Sequence, residues 1–194
     1  MPEDARRART LVAVGALLGV AWTAALRAFM IQLVGAAESR FTWYGTFVGI
    51  LLPGAIVGGL LAWSEYRRRI GLERRRLLVC APLIFGVTPL TIPGAVGHLL
   101  KTGEGSASFM MTALAMLAGY SLTNRSPLGV RIPCAVVGFA LVPGMLIGYA
   151  VVPALEPGAV LDPQRSWTAV LFCSLFVLLA IACAVPHRRA SAAS

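Results

Sequence analysis

The chain has 194 residues, 58% hydrophobic and only 13% charged, with a mean hydropathy of +0.79 and a net charge of +9 from 17 Lys and Arg against 8 Asp and Glu. A water-soluble domain carries about a quarter charged residues, so this composition excludes that class and places the chain in a membrane. The positive balance does not indicate nucleic acid, because the arginines stand in short blocks between long apolar runs, with no basic face interleaved with aromatics.

Six apolar runs qualify as spanning helices, at about 10–36, 41–64, 77–100, 106–123, 132–155 and 167–186. Residues 1–9 read as a basic N-terminus, 10–186 as one transmembrane domain and 187–194 as a polar tail. The first run, Thr10 to Ala36, is interrupted by Arg27 and Gln32 and preceded by Arg6, Arg7 and Arg9. A signal peptide begins in the same way, but the length of this run and the runs that follow favour an uncleaved signal-anchor. The second, Phe41 to Trp63, closes on the loop Arg67 to Arg76, which holds six arginines in ten residues. The third, Leu77 to Leu100, is broken by Pro82, Pro89 and Pro93. The fourth, Phe109 to Leu122, needs Ser106 to Ser108 and Thr123 to approach the roughly 20 residues that a 30 Å hydrocarbon core requires. Ile132 to Leu155 and Trp167 to Val185 complete the six.

Cytoplasmic loops retain Lys and Arg, so charge predicts orientation. With the N-terminus inside, thirteen of the basic residues fall on inner segments and three, Arg40, Lys101 and Arg165, on outer ones, where Glu38, Glu104, Glu156 and Asp162 also fall. Trp43, Tyr44 and Trp167 then anchor outer helix ends, while Trp63, Tyr66 and Tyr120 anchor inner ones. Segments of about ten residues with alternating polarity, the mark of a membrane barrel, do not occur. The expected fold is therefore all-α, a polytopic bundle of about six spans with both termini cytoplasmic, in the cell membrane. Sixteen arginines to one lysine, with abundant Ala, Gly and Val, point to a GC-rich bacterial genome.

The second and fifth runs share a string: Pro53-Gly54-Ala-Ile-Val-Gly58 and Pro143-Gly144-Met-Leu-Ile-Gly148. Divided three plus three, the chain would place these strings in corresponding helices of opposite direction. That is the arrangement of an inverted repeat whose discontinuous helices line a midplane site. Small residues every four positions are also the ordinary means of packing membrane helices, so close packing alone is the competing reading.

Arg27 is costly at the centre of a bilayer, about 2.5–3.5 kcal/mol on insertion scales. It lies roughly 25 Å along its helix, so it either snorkels to the outer interface or faces an outer vestibule with Glu38, His98 and Glu104. The arginines Arg67, Arg68, Arg69, Arg74, Arg75 and Arg76 set topology and can attract anionic lipid headgroups. Glu65 is expected to pair with Arg68 or Arg69 one turn away. Cys80, Cys134, Cys173 and Cys183 have no Cys-x-x-Cys spacing and read as small buried apolar residues, so neither a metal nor a disulfide is indicated. Gly94 to Thr102 only mimics a phosphate loop, since Leu100 stands where glycine must precede the lysine. No catalytic signature and no cofactor motif is present.

In size and helix number the chain resembles the substrate-binding subunits of energy-coupling vitamin importers, which implies a separate energising subunit. The leading expectation is a small-solute transporter or permease-like protein, working as a homodimer or with such a subunit. Its path would be lined by Arg27, Glu38, Pro53, Gly54, Gly58, His98, Pro143, Gly144 and Gly148. The alternative is an accessory membrane protein that binds a partner or anionic lipid; an intramembrane enzyme using His98, Glu104 and Ser106 stands third.

Overall fold

The computed structural model describes residues 2–35, 37, 39, 41–72, 76–88, 106–123, 127–155 and 160–188. The described chain is helical and contains no strand. Four stretches are long and apolar enough to cross a membrane: Glu3–Val34, Trp43–Arg69, Leu128–Leu155 and Pro163–His187.

Helix α1, Pro2–Val34, has 33 residues and is about 50 Å long. It starts well before the apolar run, so residues 2–9 of the basic N-terminus are helical. Glu3 and Asp4 suit the positive end of a helix dipole, and Arg7 bonds Glu3 one turn back at 2.7 Å. The Tyr66 hydroxyl donates to the Asp4 carbonyl at 3.2 Å, tying this start to the end of the second helix. Gly35, at φ +89°, ends α1 with its N–H on the Ile31 carbonyl.

Thr42 caps the next element by accepting from the Gly45 N–H, and a π-helical stretch, Trp43–Leu51, leads into α2, Leu52–Arg69. Pro53 has no N–H and its ring crowds the carbonyl four residues back, at Gly49, so the turn before it widens. The Leu52 N–H accordingly bonds Phe47, five residues back. The same device recurs at Leu146–Val151, where the Val152 N–H reaches Ile147 just before Pro153. In backbone geometry, therefore, the counterpart of Pro53 is Pro153 and not Pro143.

A 3₁₀ turn, Arg76–Cys80, and α3, Leu83–Val87, flank Pro82, so the third run is not one continuous helix there. Helix α4, Ser106–Ser121, has 16 residues, about 24 Å, and falls short of the hydrocarbon thickness. The fifth run is α5, Leu128–Gly138, then α6, Leu141–Met145, then the π stretch and a last 3₁₀ turn. The break falls at Phe139, whose carbonyl the ring of Pro143 displaces and which accepts from Val142 at 3.0 Å instead. Helix α7, Pro163–Ala184, is capped by the Asp162 carboxylate on the Gln164 N–H and continues as a 3₁₀ turn to His187.

Small residues set the packing. A β-carbon built on Gly19 would fall on the Gly54 carbonyl, and one on Gly58 would fall on the Gly15 carbonyl. Helices α1 and α2 thus meet backbone to backbone, with Gly15-x-x-x-Gly19 on one face and Gly54-x-x-x-Gly58 on the other. Thr23, fully buried beside Gly54, returns its hydroxyl to the carbonyls of Gly19 and Val20. On the other side, Gly119 of α4 meets Ala180 and Ala184 of α7, and Gly138 of α5 meets Ala118. Phe176, Leu179 and Ala180 of α7 form the core with Ala115 and Ala118, so α7 is the central helix.

Charges gather at one end of the bundle. Tyr66 beside Asp4 and the ring of Tyr120 at 5.3 Å from that of His187 bring together the start of α1 and the ends of α2, α4 and α7. Arg131, at the start of α5, donates to the Ser121 carbonyl and so closes the end of α4. His187, assigned from its letters to a polar tail, is buried there against Tyr120. Conversely Cys80, read as a buried residue, is exposed.

Candidate functional site

Between the α1–α2 pair and α7 lies a groove of about 730 Å³. Its floor is the glycine seam at Gly15, Gly19, Gly54 and Gly58, which brings two helices so close that no side chain rises between them. Leu11 and Leu18 of α1 and Leu175 and Leu178 of α7 form the walls, and Phe85 leans in from α3. At its deep end the Trp22 indole N–H donates to the Leu175 carbonyl at 3.0 Å, and the Trp22 ring lies 5.4 Å from that of Phe85. Beyond it, Phe29 meets Phe172 at 5.5 Å, so α1 and α7 are held together at that end.

The polar groups stand at the opposite, basic end: Glu65, Arg69 and Arg188. The Glu65 carboxylate accepts two bonds from Arg68, at 2.6 and 2.7 Å, and one from Arg69 at 2.8 Å. The pairing expected for Glu65 thus involves both arginines at once. Arg67, Arg68 and Arg69 occupy the last turn of α2, where the helix dipole favours cations. The single acid of the groove is matched by arginine and the mouth retains a positive balance. The site is a hydrocarbon-like slot with a cationic rim, suited to an amphiphile and poorly suited to a hydrated solute.

The residues singled out from the sequence are not brought together. Pro53 and Gly54 are buried against α1, whereas Gly144 and Gly148 are exposed and would meet nothing within 4 Å if given a β-carbon. The two strings, alike in letters, occupy unlike surroundings. Arg27 is half-buried outside the groove, with its guanidinium 4.6 Å from the centre of the Phe41 ring. Glu38, His98, Glu104, Arg74 and Arg75 lie outside the described residues, and Arg76 and Ser106 are described only in their backbone. Sequence reasoning missed Gly15, Gly19, Trp22 and Arg188 as parts of one site. The Gly15-x-x-x-Gly19 spacing was the available signal for the first two. The pairing of Trp22 with Leu175, 153 residues apart, leaves none.

Replacing Arg27 by Ala should cost at least the roughly 0.5–1 kcal/mol of its cation–π contact with Phe41, and leave binding in the groove unchanged. Thermal unfolding in detergent with and without ligand checks both; loss of ligand stabilisation in this variant would place Arg27 in the site.

No family model, characterised protein or solved structure matches the chain.

Proposed function

We propose that this chain is an accessory integral membrane protein that takes an amphiphilic ligand from the bilayer into the groove between α1, α2 and α7. It neither catalyses a reaction nor passes a hydrated solute. The observation that carries this reading is the apolar groove with charge confined to one mouth. In this reading the protein sits in a bacterial cell membrane with six spans, the third and fourth completed by the Pro-rich run 77–100 and by α4. Its basic end faces the cytoplasm, as the retention of Lys and Arg on that side requires. The arginines Arg67 to Arg69 and Arg74 to Arg76 hold the anionic surface there.

The alternative, a solute path through the breaks at Pro53 and Pro143, would need the two to share a polar cavity, and would need a second copy or an energising subunit. Gly54 and Gly58 are closed against α1 and Gly144 faces open space, which favours the binding reading. The test is the unfolding midpoint of detergent-purified protein against phospholipids and fatty acids in one set, and water-soluble anions, metabolites and vitamins in another. Amphiphiles should stabilise by about 2.7 kcal/mol at a hundred times Kd, and soluble compounds should not. Stabilisation by a soluble compound alone would return the transport reading.

A further inference from the structure

We propose that the occupant of the groove is an anionic phospholipid of the surrounding bilayer, one acyl chain lying between α1, α2 and α7 and its phosphate held by Arg69 and Arg188. This rests on the groove being a binding site and adds which headgroup it selects and which residues select it.

Arg69 comes from the last turn of α2 and Arg188 directly follows the 3₁₀ turn after α7, yet both line one mouth. Arg69 engages Glu65 through Nε alone and its side chain is 61% exposed. Arg188 is exposed and makes no ion pair among the described residues. With Arg68 already bound to the Glu65 carboxylate, the mouth has cationic donors in excess of its acid. An anionic headgroup completes that balance and a zwitterionic one does not.

The length of the groove suits an acyl chain. From Leu11 to Ala25 the groove follows α1 for about 21 Å, somewhat more than the roughly 15 Å of one leaflet's hydrocarbon. Leu18 and Leu178 on the walls are 66% and 55% exposed, so the groove opens sideways and a lipid can enter from the leaflet whose headgroups lie level with the arginines.

Trp22 supplies the probe, since it lines the deep end of the groove and Trp43, Trp63 and Trp167 do not line it. A full-length protein with those three changed to Phe is titrated in detergent with acyl-brominated phosphatidylglycerol and, separately, acyl-brominated phosphatidylcholine, and quenching of Trp22 is followed. At about 1 kcal/mol per arginine, or fivefold each, the half-point for phosphatidylglycerol should lie on the order of 30-fold lower. R69Q/R188Q should bring it up to that of phosphatidylcholine, and R69K/R188K should keep most of the preference. Quenching by phosphatidylcholine in each variant reports an intact groove, which separates loss of selection from loss of fold. Equal half-points in the parent protein overturn the headgroup assignment and leave the groove reading standing. Absence of saturable quenching by either lipid overturns both. A brominated fatty acid acting at lower concentration than phosphatidylglycerol, or quenching that disappears as protein concentration rises, overturns the phospholipid in favour of a free acid or a second copy of the chain.

Discussion

Gly19→Leu is expected to separate α1 from α2 and leave too little folded protein to measure a clean midpoint. The substituent would have to occupy the Gly54 carbonyl, and backbone on both sides cannot give way as a flexible side chain can. Overpacking usually costs about 1–3 kcal/mol and more when the surroundings are rigid. In lipid there is no water-driven term to hold the helices together once contact is lost, because association rests on close packing. Gly19→Ala should show the same effect in smaller measure. Gly144→Ala, outside the glycine seam, should be neutral or stabilising by about 0.5–1 kcal/mol, the ordinary gain of alanine over glycine in a helix, because nothing lies within 4 Å. Thermal unfolding of Gly19→Ala and Gly144→Ala in detergent, together with the folded yield of Gly19→Leu, reads out the contrast. Equal losses at Gly19 and Gly144 would mean that the close approach of α1 and α2 at the glycine seam does not set the cost.

Phe176→Ala should give the second large loss. Phe176 is fully buried, its ring 6.1 Å from that of Phe172 and 6.3 Å from that of Phe139, at the junction of α7 with α4 and the fifth run. In a soluble core this change costs about 3–5 kcal/mol, part transfer from water and part cavity. Surrounded by lipid the transfer part vanishes, leaving the cavity part, about 2 kcal/mol. Val170→Ala, on the same helix but 52% exposed, should stay within about 0.5 kcal/mol. The difference between the two midpoints measures packing with no hydration term in it.

Helix class and the principal runs were legible because apolar length is a one-dimensional signal. Where a helix begins was not: hydropathy stops at Thr10, whereas the helix starts at Pro2, where charge pairing and dipole favour it in the absence of apolar side chains. Prolines were legible as breaks, but not which carbonyl each one frees. The widened turns precede Pro53 and Pro153, and the letter-for-letter match of Pro53-Gly54 with Pro143-Gly144 pointed elsewhere. The partner of a glycine face is written on another helix, so Gly54 and Gly58 could be read as a packing surface but not assigned to Gly15 and Gly19 until both backbones were in view. Arg188 entered the reading as a mark of topology; its place beside Arg69 depends on how α7 crosses the α1–α2 pair.

The bond from Trp22 to Leu175 joins positions 153 residues apart. A ribosome adding about 5–20 residues per second needs roughly 8–30 s to travel that distance. The glycine seam of α1 and α2 can close early in synthesis, being local, while the wall supplied by α7 is still untranslated. During that interval the seam and the Trp22 indole lack the wall and the carbonyl partner that α7 supplies. The nascent chain therefore passes through a stage with half a groove, which the arrival of α7 completes.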